Sequence, residues 1–150
     1  MSDKQDNTDS SYITKEEIWA FEEHAEKLCE ELSGKYRPLF VEHDYDLMLE
    51  VFRIDFNLST KKGIIRHMSK DDVLQLGYYS AIDVSILDSN GVLVDVDRRE
   101  LKRNITLWGC YKRFFKVRHI MNTSTKEELQ ALMESTINGY AATLELELDV

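Results

Sequence analysis

The chain has 150 residues, 43% of them hydrophobic and 31% charged, and a net charge of −9 at pH 7. This balance is typical of one globular domain and excludes a low-complexity chain. No apolar run reaches the roughly 18 residues of a membrane helix, and the polar start lacks the apolar run of a signal peptide. We therefore expect a cytoplasmic protein with no membrane partner, consisting of a disordered acidic tail over residues 1–12 and a single domain over residues 13–150.

The first helix is predicted to begin at Thr14, which can cap it while Glu17 reaches back. Glutamates such as Glu22 line one side and are expected to face water. Gly34 and Pro38 predict the end of the helix. The apolar face recurs every three or four residues and comprises Ile18, Phe21, Ala25, Leu28 and Leu32.

Two further helices open on the same kind of capping box. The box Ser69–Asp72 predicts a short helix over residues 69–76. The box Thr125–Glu128 begins the last helix, and Gly139 is its expected end.

Alternation of apolar and polar residues predicts the strands. Residues 52–58 form one strand, paired with a shorter one over residues 39–43. Residues 82–86 and 92–96 form a hairpin around Asp88-Ser89-Asn90-Gly91.

Two loop lengths fit that hairpin. A two-residue Asn-Gly turn would place Ile86 opposite Asp95, whereas a three-residue loop with Gly91 in the left-handed region places Ile86 opposite Val94. Because register follows the buried face, we expect the three-residue loop.

The last strand is predicted over residues 142–150, with leucines facing in and acids facing out. The inward residues are Leu144, Leu146 and Leu148, and the outward ones are Glu145, Glu147 and Asp149. The element order α-ββ-α-βββ-α-β predicts an α+β fold. We expect a largely antiparallel sheet of five or six strands, with three helices packed mainly on one face.

Residues 98–119 concentrate positive charge in this acidic chain, with eight Lys or Arg and one acid, Glu100. Asp97 and Glu100 could cap a helix here, but Ile105 and Trp108 favour a strand. We therefore predict a turn and then a strand from about Asn104 to Ile120, with a bulge near Gly109. Its inward residues would be Ile105, Leu107, Tyr111, Phe115 and Val117. Its outward residues would be Trp108, Lys112, Phe114, Lys116 and Arg118.

This alternation defines a candidate binding surface of outward aromatic residues and cations. Its members are Arg98, Arg99, Lys102, Arg103, Trp108, Lys112, Phe114, Lys116 and Arg118. Such a surface can grip a protein partner, or it can stack bases and neutralise phosphates. The acidic face of residues 142–150 could instead cover it, in the same chain or in a second copy.

Other chemistry is weakly marked. His43, Asp44 and Asp46 lie in a predicted turn, where Asp is common for reasons other than metal binding. Cys29 and Cys110 lack CxxC spacing and are expected to be reduced; Cys29 is expected in the core, and the cations around Cys110 could lower its pKa. We therefore predict no catalytic residue, metal or cofactor.

Two partial resemblances remain. The order α-βββ-α-β from Ser69 onward resembles a nuclease core, for which Asp95 or Asp97 could supply an acid, but Glu100-Leu101-Lys102 precedes the strand that should carry such a motif. The order α-βββ-α also resembles double-stranded-RNA-binding domains. Their lysine cluster is replaced here by Thr125-Lys-Glu-Glu128.

The sequence thus favours a non-catalytic interaction protein that binds another protein, as inhibitors, immunity proteins or chaperones do, and that could form a homodimer. The alternative is a nucleic-acid-binding module using residues 98–119. A metal-dependent nuclease or hydrolase is the remote alternative, depending on His43, Asp44, Asp46, Asp95 and Asp97.

Overall fold

The computed structural model describes residues 13–57 and 65–148. Within them the two helices are α1 (Lys15–Val41) and α2 (Lys126–Thr143). The strands are β1 (Asp46–Asp55), β2 (Tyr78–Leu87), β3 (Asp95–Val96), β4 (Arg99–Glu100), β5 (Lys102–Arg113) and β6 (Lys116–Met121). The predicted α+β class is confirmed; the predicted tail over residues 1–12 lies outside the described residues.

The strands form an antiparallel four-stranded sheet in the order β1-β2-β5-β6 and a small sheet of β3 with β4. The prediction of three helices is wrong, because residues 69–76 hold only a 3₁₀ turn over Lys70–Asp72. Its capping box is present, since the Ser69 hydroxyl accepts from the Asp71 N–H at 3.2 Å and Asp72 accepts from the Ser69 N–H at 3.1 Å. The capping box of Ser69 and Asp72 is therefore present, but no α-helix follows it.

Two compact units can be distinguished among the described residues. The first comprises residues 13–24, 51–57, 65–81 and 106–123. The second comprises residues 25–50, 82–105 and 124–148. The single domain over residues 13–150, and the packing of the helices mainly on one face, stay predictions.

Helix α1 begins as predicted and ends later than predicted. The Thr14 hydroxyl accepts from the Glu17 N–H at 3.1 Å, which confirms the cap. The helix then passes Gly34 and Pro38 and ends at Val41, so the strand predicted over residues 39–43 is wrong. Proline removes one helical hydrogen bond. Burial of the side chains of Tyr36 and Phe40 around it supplies the compensating tertiary packing.

Glu22 on α1 is buried, although its spacing placed it on the water-facing side. In the first unit its carboxylate accepts from the Arg53 Nη2 at 3.0 Å and from the Tyr78 hydroxyl at 2.5 Å. Burial and the neighbouring Glu22 carboxylate raise the pKa of Tyr78. The charge is therefore fully partnered, as a buried carboxylate must be.

Helix α2 confirms its predicted start, because the Thr125 hydroxyl accepts from the Glu128 N–H at 3.1 Å. It passes Gly139 and ends at Thr143 in a Schellman motif. The Leu146 N–H donates to the Ala141 oxygen at 2.8 Å, and Glu145 adopts φ 57°. The last strand predicted over residues 142–150 is therefore wrong over its described part; Asp149 lies outside the described residues.

The loop after β2 confirms the predicted register. Leu87 bridges Leu93, and the Val94 N–H donates to the Ile86 oxygen at 2.9 Å. Gly91 has φ 78°, the left-handed conformation expected of it. The strand predicted over residues 92–96 is shorter in the structure, where only β3 remains of it. The Ile86 N–H of β2 donates to the Leu101 oxygen at 3.0 Å, so the chain leading into β5 lies beside β2 at this point.

Candidate protein interface

The predicted long strand from Asn104 to Ile120 is instead a hairpin of β5 and β6. Their antiparallel register pairs Arg113 with Lys116, so only Phe114 and Phe115 connect the strands. Their φ values are 52° and 67°. Two central residues with positive φ are typical of a type I′ turn, whose twist matches that of the strands. We call residues 112–118 the hairpin tip.

The residues in this turn are unusual for it. Type I′ turns favour Asn-Gly because a Cβ is strained in the left-handed region, at a cost of roughly 1–2 kcal/mol per residue. Phe114 is 79% exposed and Phe115 is 93% exposed. Both rings therefore occupy a position that neither backbone conformation nor hydration favours. Backbone strain at a non-glycine position, when large apolar side chains are also exposed there, can mark a functional site.

Positively charged residues flank the two rings in the sequence. Residues 111–121 contain four Lys or Arg and no Asp or Glu. The Lys112 ammonium lies 6.0 Å from the centre of the Phe115 ring, and Lys116 is exposed. The hairpin tip therefore presents an apolar centre with a cationic margin, the composition that fits an apolar pocket with acidic edges.

Three orientations predicted for this segment are wrong. Phe115 and Val117 were expected in the core, but Phe115 caps the hairpin and Val117 is 45% exposed. Trp108 was expected at the surface, but it is 1% exposed and its indole N–H donates to the Val73 oxygen at 2.7 Å. The Trp108 ring therefore belongs to the core of the first unit and does not lie at the surface predicted for it.

A break in the alternation of β5 explains the burial of Trp108. The Thr106 hydroxyl lies 2.6 Å from the Tyr79 hydroxyl, and a Cβ on Gly109 would lie 3.3 Å from the same ring. Thr106 and Gly109, which are three positions apart, therefore both face Tyr79. The two residues between them, Leu107 and Trp108, are both buried. This places an irregularity close to the bulge predicted near Gly109.

The remaining members of the predicted surface lie apart from the hairpin tip in the sequence and belong to the second unit. Arg98 lies in the turn between β3 and β4 with φ 69°, and Arg99 begins β4. Lys102 forms an ion pair with Asp83 at 2.9 Å, and Arg103 donates to the Thr136 hydroxyl at 3.2 Å. Lys102 and Arg103 thus have partners within their own unit.

A row of half-buried aromatic rings supports the base of the hairpin. Tyr111 lies 4.7 Å from Phe56 between ring centres, and Phe56 lies 5.3 Å from Tyr79. Phe52 lies 6.3 Å from Tyr79 on the other side. Through these tilted contacts Phe56, which directly follows β1, links Tyr111 of β5 to Tyr79 of β2. The strands that carry the tip are therefore packed against their neighbours.

Of the residues named for metal chemistry, one is ion-paired and two lie in separate turns. Asp46 accepts from Arg37 at 2.6 Å, Asp44 sits in the turn after α1 with φ 66°, and Asp97 sits in the turn before β4 with φ 52°. A pocket of about 370 Å³ includes Asp44, Asp46 and Asp88. Asp88 caps its own loop through the N–H groups of Asn90 and Val92. Within residues 13–57 and 65–148, no group of three His, Cys, Asp or Glu could hold a metal ion.

Neither cysteine has the environment of a nucleophile. Cys29 is buried in α1, and burial, together with Glu26 and Glu50, raises its pKa to about 12. Cys110 is also buried, and burial raises its pKa, so the expectation that nearby cations lower it is wrong. Both thiols are core residues.

No protein-family model matches the chain, and neither a curated protein nor a solved structure matches it. Among the described residues, no helix combines the length and the apolar composition needed to cross a bilayer.

Proposed function

We propose that this protein is a non-catalytic binding protein of the cytoplasm, and that its hairpin tip docks into an acidic-edged apolar pocket of another protein. An inhibitor, immunity or chaperone-like role agrees with this mode of binding. The observation that carries the proposal is the exposed pair Phe114 and Phe115, which occupy a turn better suited to Asn-Gly.

A protein partner fits the two rings better than a nucleic acid does. Exposed aromatic residues are enriched at the centres of protein interfaces, with charged residues at the rim, and one buried aromatic anchor contributes about 2 kcal/mol or more. The interpretation as a nucleic-acid platform used Trp108 to stack bases, and Trp108 is buried. The acidic remainder of the chain also disfavours a polyanion at long range.

The decisive variant is Phe114→Asn/Phe115→Gly. It replaces both rings with the residues that the turn prefers, so folding is retained while the apolar centre is lost. The matched control is Asp97→Asn/Arg98→Gly, which makes the same exchange in the β3–β4 turn. We expect the control to bind the partner with the affinity of the native protein. We expect the tip variant to bind it at least about 30-fold more weakly.

The experiment begins with affinity capture from the source cells and then measures the purified partner by calorimetry. Nucleic acid would appear as a high 260/280 nm ratio in the eluate, with binding that falls steeply as salt rises. Vesicles of anionic lipid provide a third comparison. Equal capture by the native protein and the tip variant, or capture of nucleic acid or lipid alone, would disprove the proposal.

A further inference from the structure

An open pocket lies in the second unit, where the end of α1 meets the loop after β2. The last turn of α1 and the residues that follow it supply one wall, and the loop that begins at Asp88 supplies the other. The volume of the pocket is about 370 Å³. Pockets that hold a ligand or an inserted side chain are usually of roughly 300–1,000 Å³, so this pocket can hold an occupant of a few side chains at most.

Hydrogen bonds fix both walls of the pocket. Helix α1 ends in a Schellman motif, in which the Tyr45 N–H donates to the Phe40 oxygen at 3.1 Å. The Asp44 N–H donates to the Val41 oxygen at 3.0 Å, and Asp44 takes the left-handed position of the motif. On the other wall, the Asp88 carboxylate accepts two backbone N–H groups of its own loop, at 2.8 and 3.0 Å. The pocket is therefore formed before anything binds in it.

The pocket combines an apolar surface with negative charge. Val41, which is 54% exposed, and the half-buried Tyr45 provide the apolar surface. Three aspartates and one arginine also line the pocket, so its net charge is negative. The arginine, Arg37, is paired with Asp46 through two hydrogen bonds of 2.6 and 3.1 Å. The other two aspartates therefore set the charge that an occupant meets.

The hairpin tip of the same chain has the complementary composition. Its exposed rings, Phe114 and Phe115, form an apolar centre, and two exposed lysines flank them. Residues 41–50, which end α1 and begin β1, contain four Asp or Glu and no Lys or Arg. Residues 111–121 contain four Lys or Arg and no Asp or Glu. The pocket and the tip therefore match each other in apolar character and in the sign of their charge.

We propose that the hairpin tip of one copy docks into this pocket of a second copy. The rings of the tip then contact Val41 and Tyr45, and its lysines face Asp44 and Asp88. Pairing of two tips is disfavoured, because it brings lysines together. The contact depends on the proposed function, because the tip uses the same rings to bind its partner. A tip that occupies a pocket is therefore unable to bind the partner until the two copies separate.

Two variants that each lack one side of the contact test it directly. The tip variant, Phe114→Asn/Phe115→Gly, keeps the pocket, and the pocket variant, Val41→Lys/Asp44→Asn, keeps the tip. Each variant alone should self-associate at least about tenfold more weakly than the native protein. A mixture of the two should recover association as a complex with one copy of each, because one variant supplies the pocket and the other the tip. Sedimentation equilibrium gives the association constants.

A matched control and a second pocket variant accompany these two. Leu74→Lys/Asp71→Asn makes the same change of charge at exposed positions outside the pocket, and Leu74 is 52% exposed. This control should self-associate as the native protein does. Ser89→Arg places a positive charge at an exposed position on the other wall and should weaken self-association as the first pocket variant does. Circular dichroism shows that each variant is folded before it is measured.

Three results would overturn the inference. They are a native protein that stays monomeric up to about 1 mM, a pocket variant that associates as the native protein does, and a mixture that does not recover association. The pocket variant also separates this contact from the proposed function, because it keeps its tip and should bind the partner at least as tightly as the native protein. Partner binding without self-association would contradict the self-contact alone. Equal partner binding by the native protein and the tip variant would contradict the proposed function alone.

Discussion

Glu22 and Arg53 form an ion pair at 3.0 Å in which the carboxylate side chain is 1% exposed and the guanidinium side chain is 15% exposed. The Tyr78 hydroxyl donates to the same carboxylate at 2.5 Å. Each of these three side chains is a hydrogen-bond or ion-pair partner of another. Removing one therefore takes a partner away from a buried polar group.

Glu22→Ala should accordingly lower the free energy of unfolding by about 3–5 kcal/mol, because the largely buried charge of Arg53 would lose the buried carboxylate it is paired with. Urea denaturation measures the change. Glu30→Ala, at an exposed position of the same helix, is the control and should change stability by about 0.5 kcal/mol or less. A loss below about 1 kcal/mol for Glu22→Ala would show that the ion pair is not a structural requirement.

The turn exchange predicts a gain in stability. Phe114→Asn/Phe115→Gly should raise the free energy of unfolding by about 1–2 kcal/mol, since both φ values are positive and Asn-Gly adopts them with less strain. Asp97→Asn/Arg98→Gly has the same conformational basis and should also be stabilising. Thermal unfolding measures both; a tip variant less stable than the native protein would mean that the rings contribute packing.

Two serines of β2 provide a matched pair. The buried Ser80 hydroxyl has no partner among the described residues, whereas the buried Ser85 hydroxyl donates to Asp83. Ser80→Ala should be neutral or stabilising by up to about 1 kcal/mol, because an unpaired hydroxyl leaves the core. Ser85→Ala should cost about 1 kcal/mol or more. Chemical denaturation that ranked the two variants the other way would contradict this account.

Glu134 should make the free energy of unfolding depend on pH in the acidic range. Its hydrogen bond from Tyr36, assisted by Lys35, lowers the pKa of Glu134. A lowered folded-state pKa stabilises the fold above the unfolded value of about 4.3, and the contribution is lost as the pH falls through the folded value. Carbon-detected NMR titration should place the pKa of Glu134 below the ordinary range, and Tyr36→Phe should move it back up. A titration at or above that range in the native protein would refute the assignment.

Both thiols should resist modification in the folded state. Alkylation at pH 8 requires the thiolate, and burial raises the pKa of Cys29 to about 12 and raises that of Cys110 as well. Ser89→Cys, at an exposed loop position, provides a reactive control in the same fold. Mass spectrometry should show rapid labelling of that control, slow labelling of the native cysteines, and full labelling in denaturant. Rapid labelling of Cys110 would indicate an accessible thiol.

The features that could be predicted from sequence are local ones. The cap of Thr14 by Glu17 and that of Thr125 by Glu128 depend on residues three apart, and both are present. The loop at Gly91 is also local, because its register follows from one positive φ and one buried face. Such signals can be read from the sequence without knowing which side chains pack against them in the folded protein.

The features that could not be predicted depend on distant packing. Pro38 stays inside α1, because neighbouring buried rings outweigh the lost hydrogen bond. Glu22 is buried because Arg53 and Tyr78 lie beside it, and neither is near it in sequence. Residues 144–148 alternate leucine with acid, as a strand with one buried face does. Alternation alone does not show whether another strand lies alongside to pair with the segment.

The hairpin tip could have been recognised in part. Phe114 and Phe115 are adjacent apolar residues, and Lys112 precedes them beside another cation, so the period of two fails at this point. A failed period between two alternating runs indicates a turn. The absence of Asn and Gly concealed it, because those residues are the usual marks of a two-residue connection.

The two-residue connection between β5 and β6 also restricts how this protein can change. One residue inserted or deleted there would shift β6 by one position and exchange its faces, so that Lys116 and Arg118 would turn toward the core. Substitutions can alter what the hairpin tip recognises while the fold is kept. Changes in its length cannot do so, and variants or relatives of this chain that preserve the fold should vary the tip in identity and keep it at two residues.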